Sequence, residues 1–320
     1  MKYIEADQLE KLLSYEELIP KINEAFAQDY DIPMRHHHQY PNPKEGIEST
    51  LLLMPAWDNG ENLGVKIVNV SPNNSKYNLP SIQGLYIYFD LHTGTPKALM
   101  DAKKLTTKRT AAASALASQY LSREDSSTLL VIGTGALSAE LIQAHCAVRP
   151  ISKVLVWGRS IEKSQHIVNE VSLEGVSIST VQSIEEGIKQ SDIISCATLS
   201  PTALVFGKDL HPGQHLDMIG AYKPDMREMD DEVLAKSDVY VDNIEGATKE
   251  TGDLAIPIAN GTFKIEDIKA DLFELAQGKK NVERSAETIT CFKSVGHALE
   301  DLAAATLAFE KLETINSLTP

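Results

Sequence analysis

A buried strand that runs straight into a glycine turn constrains the fold of this chain more than any other feature. Residues 128–132 are all aliphatic or β-branched, Gly133 and Gly135 follow, and a helix-forming stretch comes next. Gly133 lets the chain turn sharply, and Gly135 lets a pyrophosphate approach the backbone at the positive end of the helix. Ser138 stands at the third small position, where this pattern has Gly or Ala. A glycine pair after a strand can also be a plain tight turn, but this context predicts a nucleotide site at Gly133, Thr134, Gly135, Ala136 and Leu137.

The next strand bears on which cofactor such a site would prefer. Residues 153–157 form a second apolar run that ends about twenty residues beyond the glycines, where an NAD site carries Asp or Glu for the ribose hydroxyls. This chain has Gly158, Arg159 and Ser160 there. A guanidinium and a hydroxyl suit a 2′-phosphate, so the sequence favours NADPH, with NADH possible. The alternative is a solvated arginine in a surface loop.

Strands and helices alternate from here to about residue 242. Such alternation predicts an α/β fold, a Rossmann-type doubly wound sheet of parallel strands with helices on both faces. Strands are predicted at 128–132, 153–157, 176–181, 193–197, 215–220 and 238–242, with helices at 136–148, 160–171 and 183–190.

The N-terminal part has a different pattern, which predicts a smaller α+β domain. Short strands at 48–54, 63–70 and 84–90 are separated by turn signals and suggest a mostly antiparallel sheet. An alanine-rich helix is predicted at 106–121 and a last helix from 294 to about 312. We therefore expect two domains, 1–120 and 121–293, with the C-terminal helix within 294–320 completing the first.

Composition argues against some classes of binding partner and favours one cellular compartment. A formal net charge of −15 argues against nucleic acid and anionic membranes as partners. Three scattered cysteines are typical of reduced core thiols and a cytoplasmic protein. The sequence contains neither a signal-peptide pattern nor an apolar run long enough to span a membrane, which again favours a cytoplasmic location.

No metal site is predicted from the internal triplet His36-His37-His38. Adjacent histidines on an extended segment point to alternate faces and do not converge on one ion. The triplet is therefore interpreted as structural, with one imidazole at a substrate pocket as the alternative.

Three cations of the N-terminal part lie next to structured elements. They are Arg35, Lys66 and Arg109. Lys66 lies between two apolar strand residues, so its side chain points to the opposite face from theirs. The strand face that carries Lys66 is either exposed to solvent or part of a functional site. Arg109 is either exposed on its helix, paired with a carboxylate, or part of a functional site. His297 and Asp301 lie four residues apart on one helix face and can pair.

Four segments in order along the chain are similar to the ornithine cyclodeaminase/mu-crystallin family. They are Lys103–Ala113, Gly133–Gly135, Ile219–Glu228 and Phe292–Gly296. The resemblance implies a homodimer in which residues 1–120 serve substrate binding and dimerisation, with one NAD(P)-binding domain per subunit. It also implies that a small amino or imino acid is held beside the nicotinamide. By this resemblance, Arg35, Lys66 and Arg109 hold the substrate, while Thr110 and Gly296 lie at the cofactor. Ser81 is a further candidate for contact with the substrate. Thr198 is a candidate for the cofactor, because it follows a predicted strand at the carboxyl end of the sheet, where nucleotides bind.

One departure from the family pattern indicates the reaction. Ornithine cyclodeaminases carry a catalytic Asp as the third residue of a Gly-Gly-Asp segment, where this chain has Gly220-Ala221-Tyr222. A phenol with an ordinary pKa of about 10 is a poor base at neutral pH. The resemblance therefore favours NADPH-dependent reduction of 1-pyrroline-2-carboxylate to L-proline, or of 1-piperideine-2-carboxylate to L-pipecolate. The alternatives are alanine dehydrogenase activity, ornithine cyclodeaminase activity, and a non-catalytic NADPH-dependent ligand-binding protein of mu-crystallin type.

Overall fold

The chain forms two compact units. The computed structural model describes residues 1–28, 30 and 32–318. The first unit comprises Met1–Arg109 and His297–Pro320, and the second comprises Thr110–Gly296. The boundary falls inside a continuous helix, whereas the sequence predicts it at the end of that helix. A continuous helix offers no break in the pattern that would mark such a boundary.

The first unit is built on a mixed sheet with helices. Counting only described residues, the sheet has six strands in the order β1-β6-β5-β4-β3-β2, antiparallel except for the parallel pair β1 and β6. The three predicted strands correspond to β3, β4 and β5. The elements are β1 (Lys2–Ile4), α1 (Ala6–Leu12), α2 (Tyr15–Phe26), β2 (His36–Asn42), β3 (Ile47–Trp57), β4 (Asn62–Val70), β5 (Ile82–Asp90), β6 (Pro96–Asp101), the first part of α3 (Ala102–Leu121) and α11 (Ala298–Leu318), with a short 3₁₀ helix at Pro72–Tyr77.

The two faces of this sheet differ in how well they are covered. One face is buried, and α11 packs against its strands β3 and β4. Most side chains that point to the other face from β3, β4 and β5 are apolar as well, yet these apolar side chains stay half-buried or exposed. Leu85, for example, is 41% exposed. The outer apolar face, as we call it, consists of Leu51, Leu53, Val65, Ile67, Leu85 and Ile87.

The second unit is the predicted Rossmann-type α/β fold. Within residues 110–296, all of them described, eight parallel strands follow the order β13-β12-β14-β11-β10-β7-β8-β9. The elements are β7 (Thr128–Ile132), α4 (Ser138–Val148), β8 (Lys153–Trp157), α5 (Ile161–Glu170), β9 (Ser177–Thr180), α6 (Ile184–Ile188), β10 (Ile193–Cys196), β11 (His215–Met218), α7 (Asp231–Lys236), β12 (Asp238–Val241), α8 (Ile244–Glu250), α9 (Gly252–Asn260), β13 (Ile268–Asp271), α10 (Leu272–Ala276) and β14 (Thr290–Lys293), with short 3₁₀ helices at Gly207–Asp209 and Ile265–Asp267.

Alternate residues of the central strands supply two separate cores in this unit. Leu130 and Ile132 of β7 pack into one apolar cluster, whereas Leu129 and Val131 pack into the other. Because successive side chains of a strand point to opposite faces, both faces of the sheet are buried. This explains why residues 129–132 of the central strand β7 are a continuous apolar run in the sequence.

The last helix begins later than the sequence predicted. It starts at Ala298 and not at Ser294. Gly296 has a φ of 82°, which is incompatible with a helix, and its N–H donates to Asp242 Oδ2 over 2.7 Å. The N–H of Val295 donates to the same oxygen over 2.9 Å. These bonds hold the segment in a turn. None of the described helices is both long and apolar enough to cross a membrane.

Candidate functional site

A cavity of about 330 Å³ lies at the carboxyl ends of the central strands of the second unit. β7 lies between β8 and β10 in the sheet, so the strand order reverses there, and such switch points are where nucleotides bind in α/β sheets. The cavity is lined by six residues predicted from the sequence, Gly133, Thr134, Gly135, Gly158, Arg159 and Thr198, and by six that were not, Trp157, Ala197, Leu199, Ser200, Pro201 and Leu204.

The glycine turn has the shape that a pyrophosphate requires. Gly133 has a φ of 128°, and a Cβ there would lie 2.7 Å from the carbonyl oxygen of Ala197. A Cβ on Gly135 would meet no described atom within 4 Å, so the backbone there faces open space. Among described side chains none caps α4 at Leu137, and the N–H groups of an uncapped helix start suit phosphate oxygens. The turn therefore fits a dinucleotide.

Ser138 explains the departure from the usual glycine pattern. It is fully buried, and its hydroxyl donates to the carbonyl oxygen of Gly133 over 3.0 Å. A small side chain is needed here, and serine adds a bond that fixes the turn.

Arg159 and Ser160 lie at the end of β8, as predicted, but they have different environments. Arg159 is exposed and lines the cavity. The Ser160 hydroxyl caps α5 by accepting from the Lys163 N–H over 3.3 Å, and it donates to Glu162 Oε2 over 2.6 Å. Of the two, Arg159 is therefore the better candidate for binding a 2′-phosphate.

A buried carboxylate that no sequence motif indicates joins two loops at this end of the sheet. Glu228 Oε1 accepts from the N–H of Thr198 over 2.6 Å and from its hydroxyl over 2.9 Å. Its Oε2 accepts from the N–H of Gly220 over 2.6 Å and of Ala221 over 3.0 Å. The loop after β10, which lines the cavity, is thereby fixed to the loop after β11.

Lys293 and Asp253 complete this buried group. Lys293 Nζ lies 2.9 Å from Asp253 Oδ2 and 3.8 Å from Glu228 Oε2, and all three residues are fully buried. Asp253 also accepts from the N–H of Glu228 over 2.8 Å and of Met229 over 3.1 Å. The ammonium thus offsets negative charge that would otherwise be costly in the interior.

The first unit contains a buried cluster of cations and carboxylates. Lys66 Nζ donates to Asp301 Oδ1 over 2.9 Å and lies 2.7 Å from Oδ2. Arg109 donates from Nε to Asp301 Oδ1 over 3.0 Å and from a terminal nitrogen to Glu300 Oε2 over 2.6 Å. We call Lys66, Arg109, Glu300 and Asp301 the ion cluster. It joins β4, α3 and α11.

The ion cluster decides between the alternatives left open for its two cations. Lys66 is 2% exposed and Arg109 is 5% exposed. The alternatives that Lys66 lies on a solvent-exposed strand face and that Arg109 is exposed on its helix are therefore both wrong. Arg109 does pair with carboxylates, as one alternative held. Burial, with Arg109 and Arg35 nearby, lowers the pKa of Lys66 to about 8, although Asp301 acts in the opposite direction.

Other predicted residues lie at the following places. Arg35 precedes β2 and interacts electrostatically with Lys66. Ser81 directly precedes β5, and its hydroxyl lies 3.5 Å from the carbonyl oxygen of Pro72. Thr110 follows Arg109 in α3. The histidine triplet lies on the exposed edge strand β2.

The whole chain matches one protein family. The model of the ornithine cyclodeaminase/mu-crystallin family aligns with residues 3–316. The chain belongs to this family. The resemblance predicted from the four sequence segments is thereby confirmed, and the fold of the second unit agrees with it.

Relatives and solved structures cover almost the full length. A Delta(1)-pyrroline-2-carboxylate reductase of Colwellia psychrerythraea is 36% identical over 315 residues, covering 98% of this chain and 99% of the relative. The Delta(1)-pyrroline-2-carboxylate reductase of Thermococcus litoralis, in complex with NADH and L-proline, has a TM-score of 0.93 and 35% identity, covering 99% of this chain and 98% of that one. An archaeal alanine dehydrogenase dimer with bound NAD has a TM-score of 0.90 and 30% identity, covering 99% and 97%.

Proposed function

We propose that this protein is a nicotinamide-dependent oxidoreductase that reduces the C=N bond of 1-pyrroline-2-carboxylate to give L-proline. The observation that carries the proposal is the buried pair of cations, Lys66 and Arg109, on the inner face of the first unit. Buried cations suit a small anionic substrate, because they give its carboxylate new hydrogen bonds in place of those that it loses when it leaves water. Full-length similarity to reductases of this substrate supports the same reaction.

The side chains would bind and orient the substrate and supply a proton. Bound nicotinamide supplies the hydride that the imine carbon accepts, while the ring nitrogen takes up a proton. Arg109 and Arg35 would hold the substrate carboxylate, and Lys66 would either bind the same group or donate the proton. A pKa near 8 leaves Lys66 mostly protonated at neutral pH and suits it to either role. Tyr222 is a poor base, because burial raises its pKa further.

The cofactor would be NADPH in preference to NADH. Arg159 is exposed at the cavity, with its guanidinium able to reach a 2′-phosphate. The related structures carry NADH or NAD, which supports a nicotinamide cofactor and keeps NADH as the alternative. Reduction of 1-piperideine-2-carboxylate to L-pipecolate is a second proposed reaction, because it places the same carboxylate next to the same C=N bond.

The protein would act as a homodimer in the cytoplasm. The outer apolar face of the first unit leaves side chains such as Leu53, Ile67 and Leu85 partly exposed, and a second copy would cover them. An alanine dehydrogenase of similar structure is a dimer. The free thiols of Cys146, Cys196 and Cys291, all in the described part of the chain, suit a reducing compartment.

One set of parallel assays tests this function. Oxidation of NADPH and NADH is followed with 1-pyrroline-2-carboxylate, with 1-piperideine-2-carboxylate, and with pyruvate plus ammonia. We expect the cyclic imines to be reduced with higher kcat/KM than pyruvate is aminated. Faster turnover of pyruvate would favour the alanine dehydrogenase alternative, which the structural similarity also supports. Binding of an imino acid without oxidation of either cofactor would contradict the enzyme proposal and favour a ligand-binding protein.

Arg109→Ala should abolish most of the activity. Loss of a buried charge-assisted contact costs roughly 2–5 kcal/mol, so kcat/KM should fall by about thirtyfold or more. Arg109→Lys is the matched variant, because it keeps the charge near Glu300 and Asp301 but loses the planar fork. Circular dichroism checks that both variants fold. Near-normal kcat/KM in a folded Arg109→Ala protein would contradict the proposed role.

A further inference from the structure

Asp301 lies between the two cations that would hold the substrate. It belongs to α11, yet its carboxylate contacts Lys66 of β4 and Arg109 of α3. The side chain is fully buried, with Lys66 at 3% and Arg109 at 6% side-chain exposure beside it. Three elements that are distant in sequence therefore meet at one carboxylate.

We propose that Asp301 is a positioning residue of the substrate site, which holds Lys66 and Arg109 side by side and keeps Lys66 charged in a buried environment. The inference rests on the proposed function, in which these cations bind the imino acid. Asp301 is not assigned any contact with the substrate.

The charges around Lys66 explain why such a residue is needed. Among the described residues, four groups face it: Asp301 on α11, Arg109 on α3, Arg35 before β2, and Tyr86 opposite it on β5. Two of these are cations and repel the ammonium. Tyr86 stays neutral, because burial raises its pKa well above 10. Asp301 is the anion of the four, and its charge opposes both the desolvation and the repulsion.

Asp301 also sets the positions of the two cations relative to each other. Lys66 has a flexible four-carbon stem, and Arg109 has a planar fork with fixed donor directions. Asp301 Oδ1 accepts from both side chains, over 2.9 Å from Lys66 and 3.0 Å from Arg109. One oxygen thus fixes the spacing between the ammonium and the guanidinium. Removing it should raise KM for the imino acid, since both donors would lose their alignment.

A lysine titration tests the proposal without depending on catalysis. The protein is labelled with ¹³C-lysine, the Lys66 signal is assigned with Lys66→Arg, and its pKa is measured by NMR in the wild type and in Asp301→Asn. An opposite charge within about 4–6 Å shifts a pKa by roughly 1–3, so the Lys66 pKa should fall by about 1 or more. Glu300→Gln is the matched control. It removes the neighbouring carboxylate, which contacts Arg109, and should lower the Lys66 pKa much less.

The lower Lys66 pKa expected in Asp301→Asn should also appear in the pH dependence of kcat/KM. Deprotonation of Lys66 removes a positive charge, so kcat/KM of the wild type should decline above pH 8, and that of Asp301→Asn from a lower pH. An unchanged Lys66 pKa in folded Asp301→Asn would overturn the proposal. A wild type that reduces no imino acid would instead refute the proposed function, while the titration would still decide whether Asp301 keeps Lys66 charged.

A conservative variant covers the case in which Asp301→Asn does not fold. Asp301→Glu keeps the negative charge but moves it by one methylene. We expect the Lys66 pKa to stay near 8 while KM for the imino acid rises about tenfold with a smaller change in kcat, which separates the effect of charge from that of position. Unchanged KM would contradict the positioning role.

Discussion

A single side chain, Arg159, carries the proposed preference for NADPH. It is exposed at the mouth of the cavity, and a neighbouring carboxylate, Glu162, is held by Ser160. Arg159→Asp should reverse the cofactor preference, because a carboxylate repels a 2′-phosphate and accepts hydrogen bonds from the ribose hydroxyls. We expect the ratio of kcat/KM for NADPH to that for NADH to fall by at least about tenfold, which corresponds to roughly 1.4 kcal/mol.

Arg159→Ala provides the graded comparison for this substitution. It removes the attraction without adding repulsion, so its selectivity should lie between those of the wild type and Arg159→Asp. Steady-state kinetics with both cofactors at a fixed imino acid concentration measure all three proteins. Identical selectivity in all three would show that the guanidinium does not reach the 2′-phosphate.

At the scale of elements, Glu228 fixes the two loops that follow β10 and β11. Its oxygens accept four hydrogen bonds, two from Thr198 and one each from Gly220 and Ala221. Glu228→Gln replaces one oxygen by a donor, which cannot accept from any of these groups, and an unsatisfied buried donor costs about 1–3 kcal/mol. We expect a lower Tm and weaker NADPH binding, because Thr198 lines the cavity.

A surface glutamate of the same unit supplies the control for Glu228. Glu185 pairs with Lys189 on the exposed side of α6, where solvent screens the charges and the ion pair adds little to stability. Glu185→Gln should therefore leave both Tm and the Kd for NADPH nearly unchanged. Thermal unfolding and fluorescence titration measure the two quantities. Equal effects of the two substitutions would refute a specific role for Glu228.

The elements that the sequence predicts well are those with a local pattern. β7 and β8 were predicted at their observed bounds, since a strand buried on both faces is a continuous apolar run. β14 was missed, because it ends at Lys293, a charged residue whose burial depends on Asp253. The partner of Lys66 was equally hidden, since Asp301 lies 235 residues further along the chain.

At the scale of the whole molecule, the outer apolar face gives the proposed homodimer a testable interface. Leu85 is 41% exposed on this face, and Ile265 is 44% exposed on the second unit. Leu85→Asp would place a charge against apolar surface in the dimer, which is strongly unfavourable unless the charge finds a partner. We expect this variant to be monomeric by light scattering, whereas Ile265→Asp, with similar exposure, should stay dimeric. A dimeric Leu85→Asp protein would place the interface elsewhere.

If Leu85→Asp is monomeric and still folded, its kcat/KM then tests whether one subunit suffices for the reduction, because the ion cluster and the nucleotide cavity are each built from residues of a single chain.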